Sequence, residues 1–283
     1  MSAYTVKVFK YPTETQIRFY NKAINTAKDA DKEIIEKFKT QLKPFDKVKP
    51  KPKRSETIYN PFTDQIEELK PTEKEIAEKK AHTMISSKNR TINKIYEIAR
   101  ANMWEYFITL TFDPKKIDRF DYDVCVDALK KWLNNMKHNF APDLKYLIVP
   151  ELHKDGAYHF HGLIGNTGSI QFADSGVRTR YHEVIYNIEN YKLGFTTATK
   201  VKDSNKASGY LTKYITKDLC ATTKGKKRYW QSYNLDKPII EQILATKEEQ
   251  KIILDSIQGQ IVNTKGSLCP EAELSVMYVE CKN

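Results

Sequence analysis

The spacing of apolar and polar positions is most legible in the middle of the chain. Residues 104–112 (WEYFITLTF) crowd aromatic and β-branched side chains into one run suited to a buried strand, and Asp113-Pro114 ends it. Over residues 122–139, apolar positions recur three and four apart at Val124, Cys125, Ala128, Leu129, Trp132, Leu133 and Met136, which predicts an amphipathic helix. Ala141-Pro142-Asp143 breaks it. Two further strands, 144–152 (LKYLIVPEL) and 158–165 (YHFHGLIG), are separated by the turn residues Lys154-Asp155-Gly156 and are expected to form an antiparallel hairpin. Beyond a Gly/Ser loop the pattern predicts a helix over 182–191, a β-branched strand over 195–201 and a helix over 204–219 capped by Ser204.

The flanks are harder to read. Residues 3–10 alternate as a short strand, and residues 14–39 carry helical spacing without a clean apolar face. The Lys/Pro run KPFDKVKPKPKR over 43–54 suits neither a helix nor a central strand and reads as a linker or basic arm. From Pro71 the chain predicts one or two cationic helices, the second opening at Ser86 or Ser87. After a basic cluster and an aromatic patch at Tyr229, Trp230 and Tyr233, a helical stretch is expected over 241–257, with a strand or an unstructured tail at the end.

The middle order β-α-β-β-α-β-α suggests an α+β fold: a ferredoxin-like (RRM-like) antiparallel sheet of β-α-β-β-α-β core with helices on one face. The expected division is an accessory region over 1–80, a catalytic domain over 81–235 and an extension over 236–283.

Charge then narrows the partner. The 283 residues carry 47 Lys and Arg against 36 Asp and Glu, a formal charge of +11, which favours a polyanion. The four cysteines form no CxxC pair, no apolar run follows the first ten residues, and no stretch approaches the roughly 18 apolar residues of a membrane span. A reduced, cytoplasmic protein with no membrane partner is expected.

Two groups of residues carry chemistry. His159 and His161, at i and i+2 on a strand, leave the same face of the sheet while Phe160 enters the other. A turn near Gly156 places Glu151 roughly opposite His161 with matching parity, and a carboxylate with two imidazoles can hold a divalent ion while leaving positions open. His153 shares that parity and is the rival third ligand; two solvated histidines are the plain alternative. In GYLTKYITK (209–217), Tyr210 and Tyr214 stand four apart on one helix face, each followed three residues later by a lysine, Lys213 and Lys217. Alone, such tyrosines would simply pack on the sheet. With a metal nearby they become nucleophiles for a phosphodiester, giving a covalent protein–DNA ester by exchange of one phosphate ester for another. Arg90, Arg100, Lys224, Lys226, Lys227 and Arg228 are candidate DNA-backbone contacts.

These features resemble the HUH endonucleases that initiate rolling-circle replication of small phages and plasmids. ITLTF (108–112) looks like the family's first motif, HFHGL (159–163) like its metal motif, and YLTKYITK (210–217) like its tyrosine motif, with Glu151 fitting the third ligand of some members. Within that family the motifs resemble those of filamentous-phage gene II-like replication proteins. The resemblance implies a Mg²⁺- or Mn²⁺-dependent nickase in a bacterial host cell that links a 5′ phosphate of single-stranded origin DNA to tyrosine and leaves a 3′ hydroxyl for a host polymerase. No GxxxxGK[ST] motif occurs, so unwinding would fall to a host helicase. Spacing alone leaves open whether one tyrosine or both attack. A relaxase or transposase of the same chemistry, a non-enzymatic nucleic-acid-binding module and a zinc hydrolase are the competing readings.

Overall fold

A computed structural model describes residues 3–25, 57–60, 65–68, 72–269 and 273–283; the Lys/Pro run of 43–54 lies outside them. The fold is α+β, as expected. Its centre is a seven-stranded antiparallel sheet built from β5 (Tyr106–Phe112), β6 (Lys145–Leu152), β7 (Tyr158–Gly165), β8 (Phe172–Arg178), β9 (Val184–Ile188), β10 (Gly194–Lys200) and β11 (Trp230–Gln231), in the order β11-β6-β7-β5-β10-β9-β8. The inner run β6-β7-β5-β10 is the split β-α-β order, with β7 inserted between β5 and β6.

Helix α2 (Tyr122–Asn139), capped by the Asp121 carboxylate, covers the face of the sheet bearing Leu110, Phe112 and Phe160. Tyr122 meets Tyr158 edge-on there, and Phe112 meets Phe160. Helices do not keep to that face. Helix α1 (Glu73–Arg100), α3 (Ser204–Leu211), a 3-10 turn (Thr212–Tyr214) and α4 (Lys217–Thr222) gather on the other one, because Leu211, Ile215 and Leu219 are buried and need cover as much as the apolar side of α2 does. Helix α1 is continuous: Thr72 and Glu75 form a capping box at its start, and Ser86 and Ser87 lie inside it, their carbonyls accepting from the side chains of Arg90 and Thr91.

Two further departures matter for the site. The helix expected over 182–191 is instead a hairpin, β8–β9, since Val184, Tyr186 and Ile188 alternate as a strand. The helix expected over 204–219 is broken. Asp203, not Ser204, caps its start, and Thr216 caps a new helix by accepting from the Leu219 amide, with Ile215 out of helical conformation between them.

The two flanks come together in one sheet. Strands β1 (Ala3–Lys10) and β2 (Glu14–Asn25) pair with β12 (Ile239–Ile243) and β14 (Leu274–Lys282), and β13 (Ile261–Cys269) forms the far edge, in the order β12-β1-β2-β14-β13. Residues 14–25, expected as helical, are therefore a strand, with Ile17 and Phe19 buried on one face while Gln16 and Arg18 point to the other. The expected helix over 241–257 splits into β12 and α5 (Lys247–Ser256), and the final segment is the strand β14. A separate ribbon pairs β3 (Thr57–Asn60) with β4 (Gln65–Glu68).

The terminal sheet is tied to the centre by Arg100 at the end of α1. Its side chain is 0% exposed and pairs with Glu14 of β2 and, at 2.9 Å, with Glu280 of β14. Glu14 also accepts from the Asn205 side chain in α3. The terminal sheet thus grips the helix that carries Tyr210. No helix among the described residues is long and apolar enough to cross a membrane.

Candidate active site

The hairpin β6–β7 turns through residues 153–157, where the His153 amide donates to the Ala157 carbonyl at 2.9 Å and Gly156 takes φ +88°. That closure sets the register: Glu151 lies opposite His159, and Val149 opposite His161. The sequence expectation paired Glu151 with His161, two residues off, because the loop's length cannot be counted from turn residues alone. The carboxylate still reaches His161 diagonally, with Glu151 Oε2 2.7 Å from His161 Nε2.

Both histidines are also held from β5. Thr109 Oγ1 stands 3.1 Å from His161 Nδ1, and Thr111 Oγ1 stands 3.2 Å from His159 Nδ1, matching the register Thr109 to His161 and Thr111 to His159. These threonines were not singled out in the sequence, although their place in ITLTF at alternate positions is the signal that finds them. By fixing Nδ1, each hydroxyl leaves Nε2 as the nitrogen turned into the site. Burial, with His153 alongside, holds the His159 imidazole below its ordinary range, so it is neutral at pH 7. The hydrogen bond from His161 holds the Glu151 carboxyl below the usual carboxylate range and keeps it ionised. His153 is exposed, its ring 5.1 Å from that of His159, and its Nδ1 faces Asp155 at 3.2 Å.

The donor types fit a divalent ion: a neutral imidazole, a second imidazole and an ionised carboxylate on one sheet face. The side chains are not drawn together as a coordination shell, and no group of three or more His, Cys, Asp and Glu among the described residues is. Glu151 and His161 satisfy each other instead.

The tyrosines arrive from the opposite wall. The Tyr214 ring lies on the His161 ring, centroids 3.6 Å apart and planes within 9°. Tyr210 meets Tyr214 edge-on at 5.6 Å, and Phe107 of β5 touches both tyrosine rings. Burial pushes the Tyr214 phenol well above its ordinary value, with the neighbouring Tyr210 hydroxyl adding to the shift, so Tyr214 stays protonated. Tyr210 is 47% exposed, with Lys213 Nζ 5.2 Å from its ring centre. Lys217 does not share this cluster: the break before α4 turns it to the exposed first residue of the next helix.

The basic candidates divide. Arg90, Lys224, Lys226 and Lys227 are exposed, Lys226 pairing with Asp123 at 2.6 Å. Arg228 is turned inward, bonding Thr223, Ser87 and the Cys220 carbonyl. Arg100 is not a surface cation at all, its guanidinium being enclosed by Glu14 and Glu280. Its place as the last residue of an amphipathic helix, on the packed side, explains the difference. Phe195, opposite Thr111 on the site face and 59% exposed, is an aromatic group that sequence reasoning passed over.

Searches of the curated proteins and of the solved structures found no match. Residues 105–219, which run from the start of β5 into α4 and hold Glu151, both histidines and both tyrosines, match the family model of replication-associated proteins of the ORF2 and gene II protein type, consistent with a Rep-type replication initiator.

Proposed function

We propose that this protein initiates rolling-circle replication by nicking and rejoining one DNA strand through a tyrosyl ester. The observation that carries this reading is the seating of Tyr214 on His161 with Tyr210 packed edge-on beside it, which puts a phenol and a ligand-type histidine at one spot. Glu151, His159 and His161 would hold a divalent ion, Mg²⁺ or Mn²⁺. Such an ion, when bound, neutralises phosphate charge and polarises phosphorus toward attack.

Tyr210 is the proposed nucleophile, because its side chain is the more exposed of the two. Tyr214 orients that oxygen and steadies the charge that develops on it. Lys213, beside the Tyr210 ring, adds a cation near phenolate and phosphate alike. In the step itself the Tyr210 O–P bond forms as the bond from phosphorus to the 3′ oxygen breaks. The phenol proton is released, the 3′ oxygen gains one, and the product is a 5′-phosphotyrosine with a free 3′ hydroxyl. Ester replaces ester, so the reverse attack rejoins the strand without a nucleoside triphosphate. The partners are then single-stranded origin DNA, a host polymerase and a host helicase.

Incubation with single-stranded DNA bearing the replicon's origin and Mn²⁺, followed by denaturing electrophoresis, tests this. A protein–DNA adduct that survives denaturant and disappears with EDTA is expected. Binding without an adduct would favour the second reading, a single-strand-binding module, for which the exposed Phe195 and Tyr210 speak.

A further inference from the structure

The β8–β9 hairpin, which replaces the expected second helix, has a tip that closes one side of a groove of about 860 Å³. Thr109 and Thr197 form part of its floor, Tyr210 and Tyr214 its wall toward the ligand-type histidines, and Tyr181 of the hairpin tip its opposite wall. Four lysines, Lys200, Lys202, Lys206 and Lys213, line it against a single carboxylate, Glu183. Lys202 pairs with Glu183 at 2.6 Å and Lys206 with Asp203 at 3.4 Å, but both lysines stand well out in water, where such pairs are weak and easily exchanged for phosphate.

Tyr181 is 67% exposed, on a turn whose backbone is held in place. Its amide donates to Thr179 Oγ1 at 3.2 Å, His182 takes φ +62° to turn the chain back, and the Thr179 amide donates to the Glu183 carbonyl at 2.9 Å. Arg180 stands 4.6 Å from the centre of its ring. An exposed aromatic ring on a hydrogen-bonded turn, facing a groove that four lysines line together with threonines and further aromatic rings, matches an unpaired base stacked over a tracked backbone, and a paired base would offer no free face to it.

We infer that this groove binds the single-stranded DNA segment adjoining the scissile phosphate, with Tyr181 as its base-stacking platform and Lys202 and Lys206 as phosphate contacts. The inference rests on the nickase reading for what the strand is doing there, but its test does not need catalysis. Binding of a fluorescein-labelled oligothymidylate is measured by anisotropy in EDTA for wild type, Tyr181→Ala, Tyr181→Phe and Tyr233→Ala, with circular dichroism to check folding. Tyr233 is a still more exposed tyrosine outside the groove, beside Lys137. Tyr181→Ala should weaken binding roughly tenfold, with Tyr181→Phe and Tyr233→Ala near wild type. Lys202→Ala and Lys206→Ala should each lower the slope of log affinity against log salt by about 0.7. Binding indifferent to Tyr181→Ala, or weakened equally by Tyr233→Ala, would overturn the groove assignment. Tyr181-dependent binding with no adduct in Mn²⁺ would support the groove while removing the nickase reading, and an adduct with Tyr181-indifferent binding would do the reverse.

Discussion

Tyr214 lies flat on His161, their ring centres 3.6 Å apart, and this contact joins the 3-10 turn after α3 to the central strand β7. It fixes the distance between the two halves of the site. Tyr210 inherits its position from that contact, through its edge-on packing against Tyr214.

The two tyrosines should therefore fail differently when changed to phenylalanine. Tyr210→Phe removes the attacking oxygen and should abolish the covalent adduct. Tyr214→Phe keeps the stacked ring and loses only the hydroxyl proposed to donate to the developing charge, a hydrogen bond worth about 1.5–3 kcal/mol, so single-turnover nicking should slow about 10- to 100-fold. Quench-flow rates at saturating DNA check both. Equal loss in the two variants would mean that both oxygens are needed.

Thr109 and Thr111 hold the imidazoles from behind. Thr109→Val should leave the fold intact and weaken Mn²⁺ binding about 10- to 100-fold, read by isothermal titration with no DNA present. Glu151→Gln removes a ligand charge and should weaken it further. His153→Ala, at the exposed turn, should change Mn²⁺ affinity little if Glu151 is the third ligand, and greatly if it is not.

Gly194 opens β10, opposite Phe112 of β5. A Cβ there would sit 2.1 Å from the Thr111 carbonyl oxygen and 2.6 Å from the Asp113 nitrogen, both backbone atoms that cannot step aside. Gly194→Ala should cost about 1–3 kcal/mol in urea unfolding. Since Thr111 supports His159, Mn²⁺ affinity should fall in the same variant.

Arg100→Ala tests the link between the terminal sheet and the centre. It strands Glu14 and Glu280 without their counter-charge, and the loss should be about 3–5 kcal/mol. Thermal unfolding monitored by circular dichroism measures it. A shift no larger than that of an exposed Lys→Ala control would show that the clamp carries no stability.

Strands β5, β6, β7 and β10 and helix α2 are readable because each carries its own period, whereas the segments 182–191 and 204–219 are not. Alternation in ITLTF and YHFHGL fixes which side chains share a face, and the recurrence through α2 fixes its buried side. The terminal sheet was not readable, since β2 pairs with β14 some 250 positions away and nothing local in either strand announces a partner. Glu151, His159 and His161 were placed on one face from parity alone, but the pairing across the hairpin depends on a loop whose closure only the structure gives. The stacking of Tyr214 was hidden for a related reason. A continuous helix over 204–219 would keep Tyr210 and Tyr214 on one face, whereas the cap at Thr216 ends it and seats Tyr214 in the 3-10 turn.

The central claim is that a phenol of this site forms an ester with DNA. Its most direct measurement is mass spectrometry of the wild-type protein after incubation with origin-bearing single-stranded DNA and Mn²⁺, nuclease trimming and proteolysis. A nucleotide-phosphate mass on the peptide containing Tyr210, absent in EDTA and in Tyr210→Phe, is the predicted result. A DNA strand cut with no modified tyrosine, or a modification on a residue away from 210–214, would contradict it.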